Sequence, residues 1–204
     1  MSGFTTGVGI QYEPSSIVAS ATDPALTKLT TGKRFPPQRV LRHADIDPVE
    51  LQDMLPSDGR IKIVVFPGSA ISEADMQRLK LLATTLEDVL AKYPRDAFDV
   101  LTVLKEIGVE MSYLDIPPAL RSTWKRYEIY HTHFVTAQLT FLNNGCSVFV
   151  EIPAMPIGAY DAYDIVDGGA IVVIRPDGYI GTMATVDGVK QIGEYLSGFL
   201  HALR

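Results

Sequence analysis

Residues 61–66, Ile-Lys-Ile-Val-Val-Phe, are a near-continuous apolar run. A run this short and β-branched predicts a central strand buried on both faces, not a half-exposed one. Pro67-Gly68 is expected to end it. Ser72, with Asp75 three residues on, then has the form of a helix-capping pair. Apolar residues recur at helical spacing from Met76 through Leu79, Leu82, Leu86 and Val89, and Pro94 stops the helix just beyond Tyr93. Residues 99–104 predict a second buried strand. Residues 112–124, with Pro117-Pro118, predict a loop with at most one helical turn.

From 127 to 141 the residues alternate and are rich in Thr, Tyr and Phe, which predicts a long strand. Asn143-Asn144-Gly145 reads as a hairpin turn and 146–152 as the return strand. Residues 170–174 form another apolar strand, turned by Arg175-Pro176-Asp177-Gly178 into Tyr179-Ile180-Gly181. A last helix is expected from about Asp187 to Ala202, with Val189, Ile192, Leu196, Phe199 and Leu200 on one face. Upstream, a short strand lies near Val40-Leu41, a short helix runs from Pro48 to about Leu55 with Asp47 as its cap, and Ser57-Asp58-Gly59 is a turn. Glycines and prolines interrupt residues 1–32, which read as an extended arm able to lie over the domain or reach another chain. The order predicts an α/β protein: a mixed sheet flanked by helices over 33–204, with an extra β-hairpin and the arm of 1–32.

Composition narrows the partners. Of the 204 residues, 47% are hydrophobic and 21% charged, the balance of a globular chain and not of a disordered one. The formal net charge of -6 repels a phosphate backbone, so nucleic acid is not an expected partner. No polybasic run and no bilayer-length apolar run occur, so no membrane partner is expected either. Cys146 is the one cysteine, which excludes an internal disulfide and a cysteine-only metal site. Residues 1–7 have neither the basic start nor the apolar core of a signal peptide, and the expected location is the cytoplasm.

Four segments carry a resemblance. They are Gly7-Val8-Gly9-Ile10-Gln11-Tyr12, Gly32-Lys33-Arg34-Phe35-Pro36, Ser57-Asp58-Gly59-Arg60 with Ile63-Val64-Val65-Phe66, and Arg175-Pro176-Asp177-Gly178-Tyr179-Ile180-Gly181. In this order and spacing they resemble the C-terminal thioredoxin-like domain of the phenol 2-monooxygenase family of flavin-dependent aromatic hydroxylases. The resemblance implies a thioredoxin-like fold and, because that domain is associated with dimerisation, a homodimer. The family binds FAD at a Gly-rich turn between a strand and a helix, and no G-x-G-x-x-G follows a strand here. No FAD, nicotinamide or other cofactor is therefore expected, and hydroxylation is not carried over to this chain. Thiol–disulfide exchange is not carried over either. Redox members place C-x-x-C where this chain has Pro67-Gly68-Ser69-Ala70-Ile71-Ser72.

The residues least like the family, 121–156, hold the most suggestive pair, His131 and His133. Two apart on a strand, they share a face with Ile129, Val135, Ala137 and Leu139. Imidazoles on an apolar wall are candidate general acid and base, or candidate holders of a phenol oxygen. The alternative is a pair of satisfied edge-strand histidines, and a metal reading lacks a third ligand. Tyr160, Asp161 and Tyr163 are candidate ligand-binding residues for a hydroxylated molecule, against the alternative of an ordinary loop surface. Tyr130 and Phe134 suit packing or dimer contacts, Trp124, Lys125 and Arg126 suit an interface rim or an anionic ligand, and Cys146 suits a buried apolar position.

Two functions follow. The first is a stand-alone, FAD-less relative that binds a small phenolic or quinone-type molecule and catalyses a cofactor-free isomerisation, cyclisation or cycloaddition. The second is a dimerisation or partner module, or part of a flavin-dependent phenol monooxygenase.

Overall fold

In the computed structural model, which describes residues 9–20, 28–43, 47–107, 111–121, 148–151, 157–165 and 168–203, the apolar run from Ile61 lies inside a sheet. The strands are β1 (Arg39–Arg42), β2 (Asp47–Glu50), β3 (Ile61–Ala70), β4 (Phe98–Ile107), β5 (Val148–Val150), β6 (Ala170–Ile174) and β7 (Ile180–Ala184). The helices are α1 (Glu73–Leu90), α2 (Ala159–Tyr163) and α3 (Val189–Ser197). Among the described residues the seven strands lie in the order β2-β1-β5-β4-β3-β6-β7. β3, β4 and β5 are parallel, and the remaining pairings are antiparallel.

The sequence pattern explains why β3 is buried on both sides. Ile61, Ile63 and Val65 pack with Leu79, Leu82 and Leu86 of α1 and with Ile192 and Leu196 of α3. Val64 and Phe66 face the other way, against Val103, Val172, Phe35, Leu51, Tyr160 and Tyr163. The unit β3–α1–β4, followed by the β6–β7 hairpin and α3, gives the neighbour order β4-β3-β6-β7 with two helices on one face. This is a thioredoxin-like mixed α/β fold.

Several boundaries differ from expectation. β3 does not stop at Pro67 but continues to Ala70, because register shifts against β4 between Val65 and Gly68, and again between Gly68 and Ala70, absorb a residue that has no N–H to give. The helix expected from Pro48 is instead the strand β2 followed by a single 3-10 turn, Leu51–Met54. Cross-strand pairs override the local capping signal: Arg39 meets Glu50 at 3.5 Å, Arg42 meets Asp47 at 3.2 Å, and Leu51 and Met54 are buried. α3 ends at Ser197, short of Ala202, with Gly198 as its cap. The loop expected around residue 160 is the five-residue helix α2.

The described parts of the arm lie along β7. The Ala19 N–H donates to the Gly181 carbonyl at 2.8 Å, and the Gly32 N–H donates to the Ile180 carbonyl at 2.8 Å. Val18 and Leu29 are buried. Gly32 has φ +78°, and a Cβ there would strike the Tyr12 carbonyl, whose residue's own N–H donates to the Gly32 carbonyl at 2.9 Å. Residues 122–147, which include the expected strand 127–141 and its hairpin turn, lie outside the described residues. Of the return strand, Val148–Val150 pairs with β4 on one side and β1 on the other.

Candidate functional site

In α/β sheets, ligand sites gather at the carboxyl ends of the parallel strands. Here that edge holds the β3–α1 turn, the end of β4, and Glu151 immediately after β5. The turn itself is occupied with capping. Ser72 Oγ accepts from the Asp75 N–H at 3.2 Å, and Asp75 Oδ2 accepts from the Ser72 N–H at 3.0 Å. Those bonds from Ser72, with help from Arg78, hold the Asp75 carboxyl down to about 2.

Tyr160 closes the same edge from α2. Only 2% exposed, its hydroxyl accepts from the Gly68 N–H at 2.9 Å and donates to the Val103 carbonyl at 2.8 Å. It thereby bonds the backbone of both β3 and β4 where the bulge loosens their ladder. Burial pushes its phenol far above the ordinary range. Tyr163, 1% exposed, donates to the Pro36 carbonyl at 2.8 Å, and burial raises its phenol likewise. Asp161 stays at the surface, where its backbone carbonyl accepts from Lys28 Nζ at 2.7 Å. The structure therefore brings Tyr160 and Tyr163 together in the core and leaves Asp161 outside it.

His131 and His133 lie outside the described residues, as do Trp124, Lys125, Arg126, Tyr130, Phe134 and Cys146. Three polar groups emerge that sequence reasoning did not single out. Glu151 Oε1 accepts the Tyr160 N–H at 2.7 Å, and only a glycine at 158 leaves room for that carboxylate. Burial raises the Glu151 carboxyl, an effect that the Tyr160 N–H partly offsets and Asp161 reinforces. His43, just past β1, has both ring nitrogens buried without a hydrogen-bond partner among the described residues, and burial lowers its pKa. Lys62 was visible in sequence as the single charge within the apolar run. It is 1% exposed, with Nζ 2.7 Å from Asp58 and 3.4 Å from Asp99. Burial pushes the Asp58 carboxyl upward, but its bonds from Arg60 and Lys62 outweigh that and leave it well below the usual range. Among the described residues no group of three or more His, Cys, Asp and Glu is placed to hold a metal ion, and no helix is long and apolar enough to cross a membrane.

A second feature lies at the opposite end of the sheet, where β3 begins. An open groove of about 240 Å³ is walled by Ile17 of the arm, Ile61, Val173, Pro176, Tyr195 and Phe199, with the Arg175–Asp177 ion pair beside them. Arg175 stacks 4.8 Å from the Tyr12 ring, and Tyr12 meets the edge of Tyr179 at 4.8 Å. The Tyr195 hydroxyl donates to the Ile17 carbonyl at 2.8 Å, and burial pushes its phenol up to about 12.

A family model described as the phenol hydroxylase C-terminal dimerisation domain matches residues 10–204. The chain is 28% identical over 200 residues to phenol 2-monooxygenase fsqG of Aspergillus fumigatus, covering 96% of this chain and 32% of that protein. It is 30% identical over 210 residues to FAD-dependent monooxygenase terD of Aspergillus terreus, covering 97% of this chain and 32% of that protein. The chain thus spans about a third of the length of these relatives. Among solved structures, the thioredoxin domain of a thiol-disulfide oxidoreductase from Bacteroides vulgatus aligns with TM-score 0.45 at 16% identity, covering 81% of this chain and 96% of that one.

Proposed function

The chain belongs to the phenol hydroxylase C-terminal dimerisation domain family, and we propose that its role is assembly, two copies pairing as the dimerisation part of a flavin-dependent aromatic monooxygenase. The observation that carries this reading is the state of the β3–α1 turn, where a redox thioredoxin-like protein keeps its reactive thiols. That turn has no cysteine, Ser72 caps α1, and the Tyr160 hydroxyl bonds the backbone of both β3 and β4. The groups at this edge hold the fold and leave pairing as the function that the family match supports. The FAD dependence and monooxygenase activity in the relatives' names are assigned in this reading to their remaining two thirds. Sedimentation equilibrium of the chain tests it: a mass twice the chain's 22.4 kDa is expected, and a monomer at every concentration would contradict it.

A second reading keeps His131 and His133 as the site for a small phenolic or quinone-type molecule, converted without a cofactor. It rests on their residue pattern and on His43, a third imidazole, whose ring nitrogens have no hydrogen-bond partner among the described residues. A thermal-shift screen against phenols, catechols and quinones tests it. Stabilisation by one class that is lost in His131→Ala and His133→Ala is expected. Equal behaviour of wild type and both variants would remove the assignment.

A further inference from the structure

Resting on the assembly reading, we propose that the second copy seats on the face made by the N-terminal arm, the β6–β7 turn and α3, with Ile17 near its centre. This face gathers Tyr12, Tyr179, Tyr195 and Phe199 with Arg34 and Arg175, and the buried parts of protein interfaces are enriched in aromatic residues and arginine. Tyr12 is 42% exposed and Ile17 37% exposed, so apolar surface remains open beside the groove.

The shape of the groove favours a protein side chain over a free ligand. At about 240 Å³ it is open and falls below the roughly 300–1,000 Å³ of small-molecule pockets. It has room for one apolar side chain from a partner. A two-fold interface uses the same patch twice, so a groove and a projecting apolar residue must lie side by side. Ile17 is such a residue, at the wall of the groove itself. The charges match the same symmetry. Arg34 and Asp177, both exposed, lie near the Tyr179 turn, so each cation can meet the other copy's carboxylate.

The face is also pre-ordered, which lowers the entropy lost on association. Tyr12 is held by Arg175 and Tyr179, and the Ile17 backbone by the Tyr195 hydroxyl and by Ser15 Oγ, which accepts the Ile17 N–H at 3.4 Å. Other surfaces fit a second copy less well. The β2 edge carries Asp47, Pro48 and Glu50, a combination that blocks strand addition. The outward side of α1 sets Leu81 among Gln77, Arg78, Thr84 and Thr85, its polar neighbours one turn away.

The test compares the wild-type chain with Ile17→Asp and with Leu114→Asp, whose site follows the far end of β4 and is 72% exposed. Circular dichroism first confirms folding, and sedimentation equilibrium then gives the dimer dissociation constant. Ile17→Asp is expected to raise it by at least about 30-fold, the scale of a central interface residue, with Leu114→Asp unchanged. Hydrogen exchange of the wild-type dimer and diluted monomer reads the face without any substitution, and protection over residues 10–20 and 195–200 is expected. A dimer that tolerates Ile17→Asp, or one whose protection falls elsewhere, overturns the face while leaving the assembly reading intact. A wild-type chain that never dimerises overturns that reading itself.

Discussion

The Tyr160 hydroxyl donates to the Val103 carbonyl at 2.8 Å, joining a short helix to the middle of β4 across a distance of 57 residues in sequence. The same oxygen accepts the Gly68 N–H at 2.9 Å, so one side chain satisfies two backbone groups at the irregular stretch between β3 and β4. Tyr160→Phe takes this partner from both groups while keeping the ring against Phe66. A loss of about 1–3 kcal/mol is expected in urea unfolding, with an unchanged denaturant slope. A loss too small to resolve would show that the bulge needs no pin.

Glu151 gives a pH dependence of the less usual sign. Burial raises its carboxyl in the folded chain. Its favourable contribution is therefore present at acid pH and is lost as pH rises through the raised folded value. Glu151→Gln keeps an oxygen to accept the Tyr160 N–H without the charge. The stability of the variant relative to wild type is expected to improve as pH rises from 4 and to level off above the raised folded value, read from unfolding midpoints in a pH series. A difference that stays constant with pH would contradict the raised carboxyl.

Asp75 has the opposite sign. Its folded value near 2 lies below the ordinary carboxylate value, so its contribution is present at neutral pH and fades as pH falls toward 2. Ser72→Ala removes its capping partner and is expected to cost about 1 kcal/mol at pH 7. That deficit should shrink in acid. An equal deficit at pH 7 and pH 2 would mean that the carboxylate takes no part in the cap.

Lys62 lies beneath two carboxylates at the start of the central strand. Lys62→Met removes the cation and leaves Asp58 and Asp99 facing each other, with Arg60 as the remaining partner. A loss near the lower end of about 3–5 kcal/mol is expected, because both carboxylates keep some access to water. Pairing Lys62→Met with Asp99→Asn should recover part of it in a double-mutant cycle. Complete additivity would show that the two residues do not interact.

Much of this fold was legible in the sequence where local and tertiary preferences agree. The run at Ile61–Phe66, the Ser72–Asp75 cap, the apolar stripe of α1 and the Arg175–Gly178 turn each specify their element within a few residues. At Asp47-Pro48 a helix-start signal was outweighed by ion pairs to β1 that only the folded sheet supplies. The candidate site was less legible. Tyr160 and Tyr163 have the composition of a wet loop, and nothing local shows that their hydroxyls find carbonyls 57 and 127 residues away. Glu151 escaped notice because its partner lies on a helix that begins eight residues later, through a glycine whose purpose is visible only in three dimensions. The arm's contacts with β7 and Tyr195 are equally non-local, spanning 178 residues in the case of Ile17.

Sedimentation equilibrium of the wild-type chain across a wide concentration range tests assembly most directly. A single reversible equilibrium between one and two chain masses is expected, independent of any flavin or phenol added. A monomer throughout, in a chain whose circular dichroism shows it folded, would contradict assembly as its function.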